Sequence, residues 1–422
     1  MAFPKMLHLR QKFQKSPPLD VPSALAEQFA ALGVLSGVKP GARIAVTAGS
    51  RGITNIAAIV GSVVKLLKQA GAAPYIIPAM GSHGGATPEG QLSLLADYNI
   101  TEATMGVPIR ASMETKIIGT TSDGVAVHCS VEALSADGIV VINRIKPHTD
   151  FHGVQLASGI MKMIGIGLGK RNGAEACHAA AARLGHERVI TSVARITKSF
   201  APILCGVGLL EDSFHQTAMI KVLPGATIEQ EEPKLLTQAR ALMPKLPFAD
   251  VDLLIVDRIG KNISGTGMDT NIVGRGVQGY SSSLIPGDIK PPVIRRLFVR
   301  GLTPQSHGNA VGIGIADFVT TRLVNSIDRN STYINSLTAV TPQLSKIPVY
   351  FDTDREVIQK AIGTLALPKD APIKCIRIAD TLSLEEVQVS ESYSSEIEGR
   401  NDLQAISSAQ DMVFDADGNL AE

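Results

Sequence analysis

The chain has 422 residues, more than the roughly 250–300 at which a single hydrophobic core stops growing, so the sequence predicts at least two domains. Hydrophobic residues make up 45% and charged residues 19% of the chain, a composition that excludes a mainly disordered protein. Lys and Arg number 40 against 39 Asp and Glu, so there is no excess positive charge to hold a polyanion, and we expect no nucleic-acid partner.

Cysteine spacing and hydropathy bear on where the protein works. The four cysteines show no CxxC spacing, which argues against a zinc ribbon or a dithiol redox motif and favours a reducing compartment. Charges interrupt the N-terminal segment before an apolar run reaches signal-peptide length, and no stretch approaches the roughly 18 apolar residues of a membrane span. The sequence therefore predicts a soluble, cytoplasmic protein with no membrane partner.

The first half of the chain contains three short apolar runs, and each ends in a loop that carries glycine, serine or histidine. The runs are Arg43–Ala48, Pro74–Met80 and Gly138–Ile145. A helical pattern follows the first run, and after the second run Thr87 can cap a helix that has Pro88 at its first position. Strands that alternate with helices predict a doubly wound α/β sheet, in which ligands bind beyond the carboxyl ends of the strands.

The second half begins with a change of composition. Residues 223–248 are charged, helix-forming and bracketed by prolines, and a new apolar run starts at Val251. This change predicts an N-terminal α/β domain over 1–225, a helical linker over 226–250 and a C-terminal α/β domain over 251–422. Within the last, strands are expected at 251–257 and 373–378, and helices at 316–327 and 354–365. The predicted fold class is α/β, with two domains of mainly parallel sheet and an active site in the cleft between them.

The densest group of chemistry-bearing residues follows the third apolar run. Lys162 stands ten residues after His152 and sixteen before His178, so a lysine and two histidines can surround one ligand. Asn172 followed by Glu175 resembles a capping box, which predicts a helix start there and places His178 on the second turn.

Two other segments are suited to binding an anion. The run 165–170, GIGLGK, lacks residues of both nucleotide-binding fingerprints, yet glycine-rich backbone ahead of a helix can bind an anion through its N–H groups. Ser50 and Arg51 lie at a strand-to-helix turn, where the arginine can pair with a phosphate or a carboxylate.

Together these residues resemble the lactate racemase family, whose members carry a nickel-pincer nucleotide. The family has a histidine in a Gly-x-His loop, a second histidine ten residues ahead of an S-G-x-x-K lysine, and a third sixteen residues beyond it. The matching residues are His83, His152, Ser158, Lys162 and His178. The turn with Arg51 is similar to the family's N-terminal cofactor loop, and the segment SGTGMDTN around Asp269 is similar to a substrate-facing segment of its C-terminal domain.

The resemblance implies an isomerase, a racemase or epimerase of a 2-hydroxy acid that works by reversible hydride transfer from C2 to the cofactor. Lys162 would be joined by a thioamide to the nucleotide, pyridinium-3-thioamide-5-thiocarboxylic acid mononucleotide, and Ser50, Arg51 and Ser158 would help to bind it. His178 would bind the nickel. His83 and His152 would be the acid–base pair, one for each enantiomer, because the hydroxyl groups of mirror-image substrates need separate bases.

The resemblance also implies partners and substrate contacts. The partners would be a small 2-hydroxy acid and the host's cofactor-biosynthesis enzymes. Arg51 or Arg275 would hold the substrate carboxylate, and His148 would touch the substrate or support His152. Where lactate-using members have a tyrosine–glutamine pair, this chain has Val273 and Gly274, and with Arg275 next to them we expect a 2-hydroxy acid larger than lactate.

The residues leave two other functional classes open. The histidines can instead ligate a metal such as zinc or iron directly, with Lys162 in a salt bridge or on a phosphate. Alternatively, the protein is a non-catalytic relative that binds a nucleotide or a sugar acid. A covalent mass at Lys162 separates the racemase from the first alternative, and turnover separates it from the second.

Overall fold

The computed structural model describes residues 3–49, 52–149, 155–277, 292–368 and 370–421. The chain divides into two compact units. The N-terminal unit comprises Gln14–His148 and Gly153–Met243, and the C-terminal unit comprises Met1–Phe13, Thr149–His152 and Pro244–Glu422. Within the described residues, no helix is both long enough and apolar enough to cross a membrane.

Strands and helices alternate along most of the chain. The strands are β1 (Met6–Gln11), β2 (Arg43–Ala48), β3 (Ala73–Pro78), β4 (Thr115–Thr120), β5 (Ala126–Ser130), β6 (Gly138–Arg144), β7 (Ile203–Glu211), β8 (Thr217–Pro224), β9 (Asp250–Ile259), β10 (Val293–Leu302), β11 (Phe318–Thr320), β12 (Val349–Phe351), β13 (Cys375–Ile378), β14 (Glu386–Ser390) and β15 (Leu403–Ala405). The α-helices are α1 (Val21–Leu32), α2 (Ile56–Gln69), α3 (Pro88–Asp97), α4 (Glu102–Met105), α5 (Val131–Leu134), α6 (Ile160–Lys162), α7 (Lys170–Leu184), α8 (His186–Phe200), α9 (Ile228–Leu242), α10 (Thr270–Val273), α11 (Thr321–Asn325), α12 (Arg329–Thr338), α13 (Asp354–Gly363) and α14 (Ser394–Ile397). A π-helix, Met163–Gly167, lies between α6 and α7.

The N-terminal unit is built on a five-stranded sheet in the order β3-β2-β6-β7-β8. Its pairings are parallel except for that of β7 with β8. Helix α2 covers the sheet with Ile59, Val63 and Leu67, which are fully buried and recur every four residues on one face. Because β2, β3 and β6 run parallel, their carboxyl ends lie at one edge of the sheet, where their loops begin.

The C-terminal unit contains an eight-stranded sheet in the order β12-β11-β10-β9-β13-β14-β1-β15. The five strands from β12 to β13 pair in parallel, and the remaining pairings are antiparallel. The prediction of an α/β fold with mainly parallel sheets is confirmed.

The unit boundaries differ from the predicted ones at two places. Strand β1 comes from the predicted first domain but pairs with β14 of the C-terminal unit, from Met6 opposite Ser390 to Arg10 opposite Glu386. The predicted linker contains helix α9, which packs on β7 and belongs to the N-terminal unit.

Local sequence patterns predict most of the helices and strands correctly, but two predictions are wrong. Strand β2 has the predicted bounds, and Thr87 caps α3 by accepting a hydrogen bond from the backbone N–H of Gly90 at 3.1 Å. The helix predicted over 316–327 is wrong, because the buried run Phe318–Thr320 is strand β11, paired between β10 and β12, and only α11 follows it. A short apolar run does not distinguish a buried strand from a buried helix.

The capping box predicted at Asn172 is also wrong. Helix α7 already begins at Lys170, so Asn172 lies inside it and its side-chain amide donates to Thr115 Oγ1 at 3.1 Å. His178 therefore lies one turn further into the helix than predicted.

Candidate active site

Two loops and the end of strand β6, at the carboxyl edge of the N-terminal sheet, contact one segment, residues 159–170, which we call the lysine segment because it carries Lys162. After β3, the backbone N–H of Gly81 donates to the Gly167 carbonyl at 3.4 Å. After β2, a Cβ added to Gly49 would lie 3.1 Å from the methyl carbon of Met163. Near the end of β6, the side-chain amide of Asn143 donates to the Gly159 carbonyl at 2.7 Å. The parallel sheet thus brings together residues that are far apart in the sequence.

A buried glutamate from α9 holds the start of the lysine segment. Glu232 Oε2 accepts a hydrogen bond from the backbone N–H of Met161 at 2.8 Å, in the first turn of α6. A Cβ on Gly159 would lie 1.9 Å from Glu232 Oε1, so only glycine leaves room for this carboxyl group. Burial raises the pKa of Glu232 to about 7, and hydrogen bonds from the Met161 and Ile160 backbone oppose the rise. Glu232 had no signal in the sequence, where it lies within a charged helical stretch.

The glycines of the lysine segment serve close packing. Residues 163–167 form the π-helix, and the backbone N–H of Leu168 donates to the Met163 carbonyl at 2.9 Å. A Cβ on Gly167 would lie 2.7 Å from the Ala79 carbonyl oxygen, and one on Gly165 would lie 3.3 Å from that of Ile190. Because the segment is largely helical and closely packed, its geometry gives no support to an anion-binding loop at 165–170. Single π-helical turns are frequent at functional sites.

Lys162 Nζ lies 2.5 Å from His148 Nε2, and both side chains are partly buried. An ammonium group has only donors, so its imidazole partner must offer the lone pair of a neutral ring. The loop after β6 thus supplies an acceptor for the amine that the sequence singled out.

Two further imidazoles lie on the helices that follow the lysine segment. The rings of His178 on α7 and His186 on α8 contact each other edge to face, with centroids 6.0 Å apart. Burial, together with the charge of Lys162, lowers the pKa of His186 to about 4. His148, Lys162, His186 and His178 therefore form one linked group, which we call the His–Lys cluster.

Sequence reasoning missed His186. The signal that could have found it is Gly185, which separates two helices and turns the chain back, so that the start of α8 lies beside α7.

His83 lies in the loop after β3 and is exposed. Its Nδ1 is 2.7 Å from the Met80 carbonyl oxygen, which can only accept, so Nδ1 carries the proton. In the neutral ring the lone pair is then on Nε2, the nitrogen that can accept a proton. The structure thus fixes the tautomer that a general base requires.

The remaining predicted residues of the N-terminal half fall into two groups. The backbone of Ser158 pairs with that of Lys146 through two hydrogen bonds of 3.0 and 3.1 Å, which fixes the turn before Gly159. Ser50, Arg51 and His152 lie outside the described residues, so their roles stay predictions.

Arg275 belongs to the C-terminal unit, where its guanidinium group is buried and engaged. Its two Nη atoms pair with Asp317 at 2.8 and 2.6 Å and also donate to the carbonyls of Ile294, Arg295 and Ile315. A substrate carboxylate would have to displace Asp317. The predicted substrate role of Arg275 stays a prediction, and the contacts found are structural.

The residues beside Arg275 are packed within the same unit. Val273 is fully buried, and a Cβ on Gly274 would lie 1.9 Å from the Pro292 carbonyl oxygen. Asp269 caps α10 by accepting from the Asn271 backbone at 3.0 Å. The packing gives no support to the expectation that these replacements enlarge a substrate space.

Comparison with known proteins identifies the N-terminal half. The family described as the lactate racemase N-terminal domain matches residues 11–189. The chain carries a lactate racemase N-terminal domain. This region contains the loops and the whole His–Lys cluster, and the resemblance to the lactate racemase family that the motifs indicated is confirmed.

Solved structures share the fold over most of the chain. The lactate racemase apoprotein of Thermoanaerobacterium thermosaccharolyticum matches with a TM-score of 0.52 and 14% identity, over 89% of this chain and 93% of that chain. A Thermotoga maritima protein solved by a structural genomics consortium matches with a TM-score of 0.53 and 10% identity, over 85% and 94%. A search of curated protein sequences found no match. At these identities the likeness shows a common fold.

The donor set of this lactate racemase-like unit fits a cofactor that brings most of its own metal ligands. Among the described residues, no group of three or more His, Cys, Asp or Glu side chains is placed to hold a metal ion. A nickel-pincer nucleotide would require one imidazole from the protein and one amine for attachment. His178 and Lys162 are the residues that would supply them, and the burial that lowers the pKa of the adjacent His186 favours neutral imidazoles there.

Proposed function

We propose that this protein is a nickel-pincer nucleotide-dependent racemase or epimerase of a 2-hydroxy acid. The observation that carries the proposal is the His–Lys cluster, in which an amine and three imidazoles meet at the carboxyl edge of a parallel sheet. Ligands of α/β proteins bind at this edge. The lactate racemase N-terminal domain over residues 11–189 supports the same chemistry.

Lys162 would hold the cofactor through its Nζ, and His178 would bind the nickel through an imidazole nitrogen. Attachment needs a neutral amine, and His148, 2.5 Å from Nζ, can take the proton that the amine gives up. Ser50, Arg51 and Ser158 are proposed to bind the nucleotide. When bound, the cofactor supplies a hydride acceptor for C2 of the substrate.

His83 and His152 move the hydroxyl proton. His83 accepts it at Nε2, because Nδ1 donates to the Met80 carbonyl. His152 is proposed to act in the same way on the opposite enantiomer. Both faces of the substrate's C2 would have to be presented to the bound cofactor, so a residue that anchors the carboxylate would be required, and we propose Arg51.

The host enzymes that make the cofactor are the proposed partners, together with the 2-hydroxy acid. We propose a cytoplasmic location, where those enzymes and a reducing environment are available. The four cysteines all lie in the described part of the chain and are buried free thiols, as this setting permits.

Denaturing mass spectrometry tests the attachment. The full chain is co-produced with the cofactor-making enzymes as the parent, as Lys162→Ala, and as Lys198→Ala, which removes a lysine from α8 of the same unit. We expect added mass on the parent and on Lys198→Ala, and none on Lys162→Ala. Added mass that persists in Lys162→Ala would contradict the assignment.

Chiral chromatography tests the reaction. Single enantiomers of lactate, malate, phenyllactate and aldonates are incubated with the loaded parent and with His83→Gln. We expect racemization or epimerization of at least one acid by the parent, and a loss of roughly 10²–10⁴-fold in His83→Gln. A loaded protein that binds these acids without converting any of them would favour the non-catalytic alternative.

A further inference from the structure

A second lysine of the lysine segment, Lys170, lies outside the chemistry proposed above. Its side chain is fully buried, and none of the carboxylates in the described part of the chain is hydrogen-bonded to it. Instead, Nζ donates to the Pro78 carbonyl at 2.5 Å and reaches Gln91 Oε1 at 3.4 Å. Burial lowers the pKa of Lys170 to about 8, against the charge of Glu132. Burying an amine costs free energy unless its N–H groups are hydrogen-bonded.

Both partners of Lys170 lead to the loop that carries His83. Pro78 is the last residue of β3, directly before this loop. Gln91 is fully buried on α3, and its side-chain amide donates to the carbonyls of Gly81 and His83 at 3.2 and 3.3 Å. Lys170 therefore fixes the Gln91 oxygen, and the Gln91 nitrogen fixes the loop on both sides of Ser82.

The backbone of Lys170 is strained. Its φ is +53°, in the left-handed region that costs a non-glycine residue free energy. The residue is also the first of α7, the helix that carries His178. Lys170 thus has an unfavourable backbone conformation at the start of α7. From this position its buried side chain connects the helix to the His83 loop.

We propose that Lys170 is a positioning residue that sets His83 relative to Lys162 and His178, through the Pro78 carbonyl and the Gln91 side chain. This inference rests on the proposed function for its catalytic meaning. The link between Lys170 and His83 is a property of the apoprotein and is tested there.

The test uses the full-length apoprotein labelled with ¹³C at histidine Cε1, which gives signals from only nine histidines. His83→Gln assigns the His83 signal. We expect this signal to shift or broaden in Lys170→Met, which keeps the shape of the side chain and removes the donor. We also expect it to do so in Gln91→Glu, which gives Lys170 an ionised partner but removes the amide that holds the loop. The signal of His307, in the other unit, should stay in place.

Leu67→Ala is the matched control, because it creates a cavity in the core of the same unit without touching the loop. If general destabilisation were the cause, Leu67→Ala would move the His83 signal as well, and the inference would be overturned. It would also be overturned if the His83 signal stayed in place in Gln91→Glu. An unmoved His83 signal in a folded Lys170→Met would overturn it too, and if Lys170→Met fails to fold, Gln91→Glu still tests the link through which Lys170 would act.

In the loaded enzyme, Lys170→Met is expected to keep the mass added at Lys162 and to lower kcat at least tenfold, with KM changed less than threefold. Unchanged kcat would refute a positioning role. If the parent itself converts no 2-hydroxy acid, the proposed function fails, while the apoprotein spectra still decide whether Lys170 orders the His83 loop.

Discussion

Replacing Glu232 with glutamine is expected to remove a pH-dependent loss of stability from the N-terminal unit. The carboxyl group is 1% exposed and accepts the Met161 backbone N–H at 2.8 Å. Glutamine has the same shape, and its amide oxygen can accept the same hydrogen bond. The substitution therefore removes the ionisation while it keeps the cap of α6.

The sign and size of this pH-dependent change in stability follow from the pKa of Glu232. Burial raises the pKa of Glu232 from 4.5 to about 7, so between these values the folded protein binds a proton that the unfolded chain has released. The free energy of unfolding of the parent consequently falls as pH rises through this window, and the loss is complete above pH 7. At about 1.4 kcal/mol for each pKa unit, the loss is roughly 3 kcal/mol.

Thermal unfolding of the parent and Glu232→Gln across pH 5–8 measures this effect. The difference in stability should be small at pH 5 and should grow in favour of the variant to roughly 3 kcal/mol at pH 8, a shift in Tm of about 6–12 °C for a unit of this size. Glu231→Gln, on the partly exposed neighbouring residue, should show no such trend. A difference that stays constant with pH, or that favours the parent at pH 8, would refute the reasoning.

Two further substitutions test the packing. Gly159→Ala should lower stability severely, because its Cβ would lie 1.9 Å from Glu232 Oε1. Adding Glu232→Ala should recover part of this loss. If the effects of the two substitutions on stability were purely additive in the double variant, the contact would be contradicted. Arg275→Met should cost about 3–5 kcal/mol in the C-terminal unit, because Asp317 loses its partner, as calorimetry would show. Unchanged stability with a raised KM would instead support the substrate role predicted for Arg275.

The parts of the fold that could be predicted are those with a local signal. The runs at β2 and β6 are apolar because both faces of a parallel sheet are covered, and this pattern is visible without any knowledge of their neighbours. Thr87 and Pro88 mark the start of α3 for reasons that lie within one helical turn. In contrast, the pairing of β1 with β14 joins residues at opposite ends of the chain, and neither strand carries a sign of its partner.

The same distinction holds in the candidate site. Lys162, His178 and His83 are candidates from the sequence because their residue types and intervals are distinctive. For His148 the sequence indicates only a substrate contact or support for His152, since it does not show that the His148 ring meets Lys162 Nζ. Glu232 contacts a segment 71 residues before it, and no local pattern distinguishes it from the other acidic residues of α9.

The lysine segment is held at both ends by buried ionisable groups that bind backbone instead of an opposite charge. Glu232 accepts from the first turn of α6, and Lys170 donates to the Pro78 carbonyl. Each group pays for desolvation, so apolar side chains in a repacked core would give a more stable unit. The hydrogen bonds of Glu232 and Lys170 to the backbone give Lys162 a defined position between the strand-end loops, which apolar packing alone does not provide. Under the proposed function, Lys162 would have to meet a cofactor, an imidazole ligand and a base in one place, and such a requirement would account for buried ionisable groups where stability alone favours none.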